Sequence, residues 1–132
     1  MSPEDEQAEQ LLRKADEDRV AMETLNANAE VADAPIGFHA QQAVEKSLKA
    51  VLAARRQDFP ATHDLHLLTR RLEQSGVAVP SAVWEARRLA PWAVEYRYGE
   101  VIDEALDRPA AARLVDEVIG WAAGETQVDP GG

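Results

Sequence analysis

The stretch Phe38 to Leu52, FHAQQAVEKSLKAVL, sets Gln42, Glu45, Lys46 and Lys49 on what otherwise reads as a tightly packed helix. Lysine ammoniums and arginine guanidiniums are the groups that meet phosphates, and this chain gathers them in its middle. Residues 1–45 carry a net charge of −8, residues 46–97 of +4 and residues 98–132 of −6, within a total of −10. The pairs Arg55-Arg56, Arg70-Arg71 and Arg87-Arg88, with Lys46, Lys49 and Arg97, can form a basic surface on an acidic protein. The competing reading makes them solvated helix flanks paired with the acidic terminal helices.

Other chemistries find less support. The chain has no cysteine, which excludes disulfides, thiolate metal sites and cysteine nucleophiles and is compatible with a reducing compartment. Its 7 glycines are scattered and form no phosphate-cradling loop. His63 and His66 are three apart, but no Glu-x-x-His pair or third ligand accompanies them, so neither a metal nor a cofactor is assigned. His39, beside Phe38, reads as a partly buried packing residue. A serine triad has only its residue types to argue for it. The acidic start MSPEDEQAEQ does not resemble a secretion signal, and no apolar run reaches membrane-spanning length. The expectation is a soluble, cytoplasmic protein with no membrane partner.

The elements that must position these residues are helical. With 132 residues, 45% hydrophobic and 5% aromatic, the chain can bury one modest core built mainly of Leu, Val and Ala. Ser2-Pro3-Glu4-Asp5 reads as a cap with proline at the first helical position, followed by Ala8, Leu11, Leu12, Ala15, Met22 and Leu25 at helical spacing. The first helix should end between Asn26 and Ala34, with the second starting near Pro35. There Val44, Leu48, Val51 and Leu52 form one apolar stripe and Ala40, Ala43, Ser47, Ala50 and Ala54 a neighbouring small one. Glu45 and Lys49 stand at the favourable i, i+4 spacing on the remaining polar face. Thr62 is the expected cap of a third helix burying Leu65, Leu68 and Leu72, stopped at Ser75-Gly76. A fourth helix from Pro80-Ser81 should kink or split at Pro91 and end at Gly99. The last helix, after Asp107-Arg108-Pro109, buries Leu114, Val115, Val118 and Ile119. The fold class is all-α, an up-and-down bundle of four to five helices. It forms one domain over residues 1–123, followed by a flexible tail over 124–132.

The blocks FHAQQAVEKSLKAVL, THDLHLLTRRL and LAPWAVEYRYGE, followed by a final amphipathic helix, resemble the HEPN family, the higher eukaryote and prokaryote nucleotide-binding helical domain. Gln-Gln-Ala-x-Glu-Lys-x-Leu-Lys-Ala is the most specific element, then the His-Asp-Leu of helix three and the Arg-Tyr late in helix four. Together they cover nearly the whole chain. The resemblance implies a five-helix bundle that pairs into a homodimer, often encoded beside a minimal nucleotidyltransferase as a toxin and antitoxin. Many members are metal-independent endoribonucleases with an Arg-x(4 to 6)-His motif late in the bundle, where histidine moves protons and arginine stabilises charge on phosphorus.

This chain departs from that pattern. No histidine follows His66, and the family ending Arg-Tyr-Pro stands as Arg97-Tyr98-Gly99. Arg56 precedes His63 with six residues between them, a formal match that lies between helices two and three. Arg56 and His63 are thus weak catalytic candidates. Lys46, Lys49, His63, Arg97 and Tyr98 are the candidates for binding a nucleotide or RNA, with the cations on phosphate and Tyr98, Tyr96 or Trp92 stacking a base. The alternative leaves Glu45 and Lys49 as a surface pair, Gln42 wet, and Arg97 paired with Asp64 or Glu45. Three functions remain open: a nucleotide- or RNA-associated partner of a minimal nucleotidyltransferase, an active endoribonuclease, and a non-catalytic dimerisation scaffold.

Overall fold

In the computed structural model, which describes residues 1–93, 104–128 and 131, Ser2 starts the first helix as its sequence suggests. Its Oγ accepts from the Asp5 backbone N–H at 3.1 Å, and the Asp5 carboxylate accepts in return from the Ser2 backbone N–H. This reciprocal box satisfies donors that a helix start leaves open. Helix α1 then runs over Pro3–Asn26, burying Ala8, Leu12, Ala15 and Met22.

Helix α2 spans Asp33–Ala54, so it begins two residues before Pro35. Proline is tolerated there because the first-turn N–H groups have no partner inside the helix anyway. The broad stripe Val44, Leu48, Val51 and Leu52 and the small residues Ala40, Ala43, Ser47 and Ala50 are all buried. Both flanks of α2 are thus covered, and it contacts α1, α3, α5 and the segment after α4. With no glycine available, α2 closes on Arg56, which takes a left-handed φ of 56° while Gln57 N–H bonds back to the Leu52 carbonyl at 2.9 Å.

Helix α3 covers Leu65–Gln74, with Leu65, Leu68 and Leu72 buried. Its cap is Asp64 rather than Thr62. The Asp64 carboxylate accepts from the backbone N–H groups of His66 and Leu67 at 3.0 and 3.2 Å, whereas Thr62 Oγ1 accepts from Asp64 itself. A carboxylate at this position also meets the positive end of the helix dipole. Gly76, at φ +86°, makes the exit turn.

Helix α4 is short, Ser81–Ala86, and passes directly into a 3-10 helix over Arg87–Trp92. Pro91 lacks an N–H for the Arg87 carbonyl and its ring crowds that oxygen, so the tighter winding replaces the α pattern. Val94 and the helix end expected at Gly99 lie outside the described residues. Helix α5 spans Arg108–Thr126, capped by Asp107, and buries Leu114, Val115, Val118 and Ile119 as the pattern predicts. It carries through Thr126, into the segment read from sequence as tail. Among the described residues there are no strands, and no helix is long and apolar enough to cross a membrane.

Two contacts close the bundle around α2. Gly37 lets the Trp92 indole lie against the helix backbone, since a Cβ built at Gly37 would fall 2.5 Å from the Trp92 ring. At the start of α2, Asp33 accepts from the Leu106 backbone N–H at 3.0 Å and from Arg108 Nε at 2.9 Å, and Arg108 Nη2 also donates to the Val31 carbonyl. The backbone donor, followed by the guanidinium, holds the Asp33 carboxyl below the usual carboxylate range.

Gly37→Ala is expected to destabilise the protein by about 1–3 kcal/mol through overpacking, with a shift in tryptophan emission as Trp92 is displaced; urea unfolding followed by fluorescence checks both. A lowered carboxyl pKa adds stability above the unfolded value that is lost as pH falls through the folded one. Asp33→Asn should therefore cost about 1–2 kcal/mol at neutral pH, with the gap to wild type closing once the pH drops below the ordinary carboxylate range. Denaturant midpoints taken across the acid range would show a parallel offset if Asp33 had no such role.

Candidate functional site

The polar face of α2 is not wet. Gln41 is 0%, Glu45 3% and Gln42 9% exposed. Burial of a carboxylate requires donors around it, and Glu45 has three. His63 Nδ1 donates to Oε1 at 2.8 Å, Gln41 Nε2 to the same oxygen at 3.1 Å, and Lys49 Nζ to Oε2 at 3.1 Å. Gln42 Nε2 in turn donates to Gln41 Oε1 at 2.7 Å, and Gln41 Nε2 also reaches the His63 carbonyl at 3.3 Å. The Glu45–Lys49 pair expected from spacing is present. Its setting is a buried network that fastens the segment before α3 onto the middle of α2, which corrects the reading of Gln42 as a solvated side chain.

A second buried carboxylate joins α1 to α2. Asp18 accepts from Lys46 Nζ at 2.5 Å and from His39 Nδ1 at 2.9 Å, the two donors lying on one face of α2. His39 also meets Phe38 edge to face. It packs, as its sequence context suggests, and it bonds.

These contacts decide where each candidate residue stands. Lys46 and Lys49, both read from sequence as phosphate ligands, each face a buried carboxylate. His63 has an exposed ring, 68% accessible, whose Nδ1 is held by Glu45. Because a carboxylate only accepts, Nδ1 is the donor in this contact. Arg56 and His63 are not brought together: Arg56 donates to Ser2 Oγ and the Ala54 carbonyl and lies 3.9 Å from the Asp5 carboxylate. Arg97, Tyr98 and Tyr96 lie outside the described residues.

The arginine pairs divide in the same way. Arg55 pairs with Glu125 at 2.8 Å and Arg56 with Asp5, so this pair is spent on the acidic terminal helices. Arg71 donates to the Asp58 carbonyl. Arg87 differs. Its Nε donates to the Trp84 carbonyl at 3.0 Å, its guanidinium lies 4.8 Å from the Trp84 ring centroid, and its Nη1 lies 3.3 Å from His66 Nδ1. Among the described residues no carboxylate pairs with it. Together with Arg88, Glu85 and Pro91, these residues line an open concavity of about 620 Å³ between the start of α3 and the 3-10 helix.

Sequence reasoning missed this grouping because His66 and Trp84 are 18 residues apart and the histidine precedes Arg87 in the chain, the reverse of the family order. The available signal was the spacing Trp84-x-x-Arg87, which puts a cation one turn from an aromatic face. Arginine has donors only, so His66 Nδ1 must accept and the proton of its ring sits on Nε2. Among the described residues, no group of three or more His, Asp or Glu side chains is arranged to hold a metal ion.

Glu45→Ala is expected to cost about 2–3 kcal/mol because it leaves the half-buried Lys49 ammonium and the buried Gln41 amide without their shared acceptor and releases the segment before α3. Hydrogen exchange at Asp58–Leu65 should accelerate with it; a loss confined to a few tenths of a kcal/mol in urea unfolding would reduce the network to surface pairing.

No curated protein and no solved structure matches the chain. The family model of the HEPN domain matches residues 8–125, from the middle of the first turns of α1 to the last turn of α5. It takes in the glutamine-rich block of α2, the His-Asp-Leu start of α3 and, among the described residues, most or all of each helix from α1 to α5, and the chain belongs to the HEPN domain family.

Proposed function

We propose that this HEPN protein is a nucleotide- or RNA-associated partner of a minimal nucleotidyltransferase in a toxin-antitoxin-type pair. It binds through the concavity of His66, Trp84, Arg87 and Arg88. The observation that carries the binding reading is the Arg87 guanidinium, oriented by a carbonyl, an imidazole and an indole face, with no carboxylate paired to it among the described residues. A guanidinium so placed offers phosphate a paired donor edge, and the neighbouring indole or the guanidinium plane itself can stack an unpaired base. Lys46 and Lys49, each bonded to a carboxylate, do not line this concavity. Arg97 and Tyr98 follow the 3-10 helix in the chain and join this reading on sequence grounds. Pairing into a homodimer and pairing with the nucleotidyltransferase rest on the resemblance to HEPN proteins, with half-buried Trp84 and Trp121 as apolar surface available to a partner.

Binding without cleavage is the favoured outcome. A base that activates a ribose hydroxyl needs a free lone pair within reach, and at His66 the Nδ1 lone pair faces Arg87 while Nε2 holds the proton. The specific contact that would support the ribonuclease reading is this same arginine-histidine pair, assembled in reverse chain order.

An unpaired RNA about ten nucleotides long should bind the purified protein without added metal, more weakly as salt rises. Trp84→Ala and Arg87→Ala should each weaken it about tenfold, in line with about 1–3 kcal/mol per stacked base. The same incubations, run out on a denaturing gel, should show intact RNA. No binding by wild type would leave the scaffold reading, and cleavage abolished by His66→Gln would replace binding with catalysis.

A further inference from the structure

Resting on that reading of the concavity, we propose that its ligand is a terminal phosphate, the phosphomonoester end of an RNA or a mononucleotide. The site takes up one proton at His66 as it binds. The three histidines supply the contrast. His39 and His63 turn Nδ1 towards carboxylates, to which it donates, whereas His66 turns Nδ1 towards a guanidinium, from which it accepts.

A phosphate drawn to Arg87 competes for the Nη1–H that His66 Nδ1 accepts. Once that hydrogen bond moves to phosphate, the Nδ1 lone pair faces an anionic oxygen, and protonation converts the repulsion into a second charge-assisted donor. The proton comes from solvent and no covalent bond changes. The paired cations then carry two positive charges. A phosphomonoester, at about −1.5 to −2 near neutral pH, matches them; an internal phosphodiester, with a single negative charge, is met by Arg87 alone.

The other charged groups around His66 are consistent with this. Arg88, from the 3-10 helix, adds positive charge at the rim. Glu85, from α4, is engaged by Arg113 at 2.9 Å and sits 3.9 Å from Arg88. On its own element, the Asp64 carboxylate is committed to the His66 and Leu67 backbone N–H groups, and Arg70 lies one turn further on. The Trp84 indole beside Arg87 gives the base next to the terminal phosphate a place to stack. The concavity, about 620 Å³, has room for a nucleotide end.

The test compares two short unpaired RNAs of identical sequence, one with a 5′-phosphate and one with a 5′-hydroxyl, with a 5′-mononucleotide and inorganic phosphate as further arms. Affinities are measured from about pH 6 to about pH 8, the range in which imidazoles titrate. The phosphorylated RNA is expected to bind about tenfold more tightly near pH 6, with that advantage shrinking as pH rises. Calorimetry in buffers of different ionisation enthalpy should show proton uptake. His66→Gln, which keeps a neutral acceptor and donor on an exposed position, should flatten the pH dependence, lose the uptake and bring the affinities of the two RNAs together.

Equal affinity of the wild type for the two RNAs, or the same pH slope in His66→Gln, overturns the proposal while leaving the concavity as an RNA site. Inorganic phosphate binding as tightly as the RNA end or the mononucleotide also overturns it, because the base would then contribute nothing. Failure of every arm to bind overturns both the proposal and the reading on which it rests.

Discussion

A carboxylate inside a helical bundle dictates what must surround it, and Glu45 shows how far that demand reaches. Its two oxygens draw in a glutamine from the same helix, a lysine one turn on and a histidine from the segment before α3. Isolated, that charge would cost several kcal/mol. Surrounded, it becomes an anchor. Because His63 is fixed, Asp64 follows in place to cap α3, and the cap sets the turn on which His66 faces the 3-10 helix. The concavity at Trp84 and Arg87 therefore depends on a side chain that takes no part in it.

The same bookkeeping of charge explains why an acidic protein can keep a basic edge. Among the described residues, five cations of the middle segment have carboxylate partners: Lys46 with Asp18, Lys49 with Glu45, Arg55 and Arg56 with the terminal helices, and Arg88 with Glu85. Net charge is a property of the whole chain, whereas a ligand responds to groups left without an opposite sign nearby. Among the described residues, Arg87 is such a group. Its neighbours orient it without neutralising it.

Helical elements and most core positions were legible in the residues because apolar spacing and cap chemistry act locally. Ser2, Gly76 and Asp107 mark their helix ends unambiguously, and Leu65, Leu68 and Leu72 are buried as their spacing requires. What escaped was non-local. Glu45 and Lys49 satisfy a rule for exposed helix pairs equally well on a surface or in an interior, and only His63, 18 residues away, decides between them. Asp64 and Thr62 are both good caps, and the choice turned on where Glu45 held the preceding residue. The Arg87–His66 contact depends on the change of winding at Pro91, which fixes how α4 and the 3-10 helix face α3. Arg56, a formal match to the motif by its spacing from His63, is turned towards Ser2 at the left-handed turn that ends α2.

That turn has a topological consequence. Arg55 reaches Glu125 near the end of α5, while Arg56 reaches Ser2 and Asp5 at the start of α1. Met1, Asp5, Gln127 and Val128 share one surface hollow. Neighbouring ends of this kind make the order of helices separable from their arrangement. A short linker across that pole, with new termini opened at the turn of Ser75-Gly76, would give a circular permutant in which α2 keeps every neighbour while the two sides of the concavity, His66 and Trp84-Arg87, stand at opposite ends of the chain.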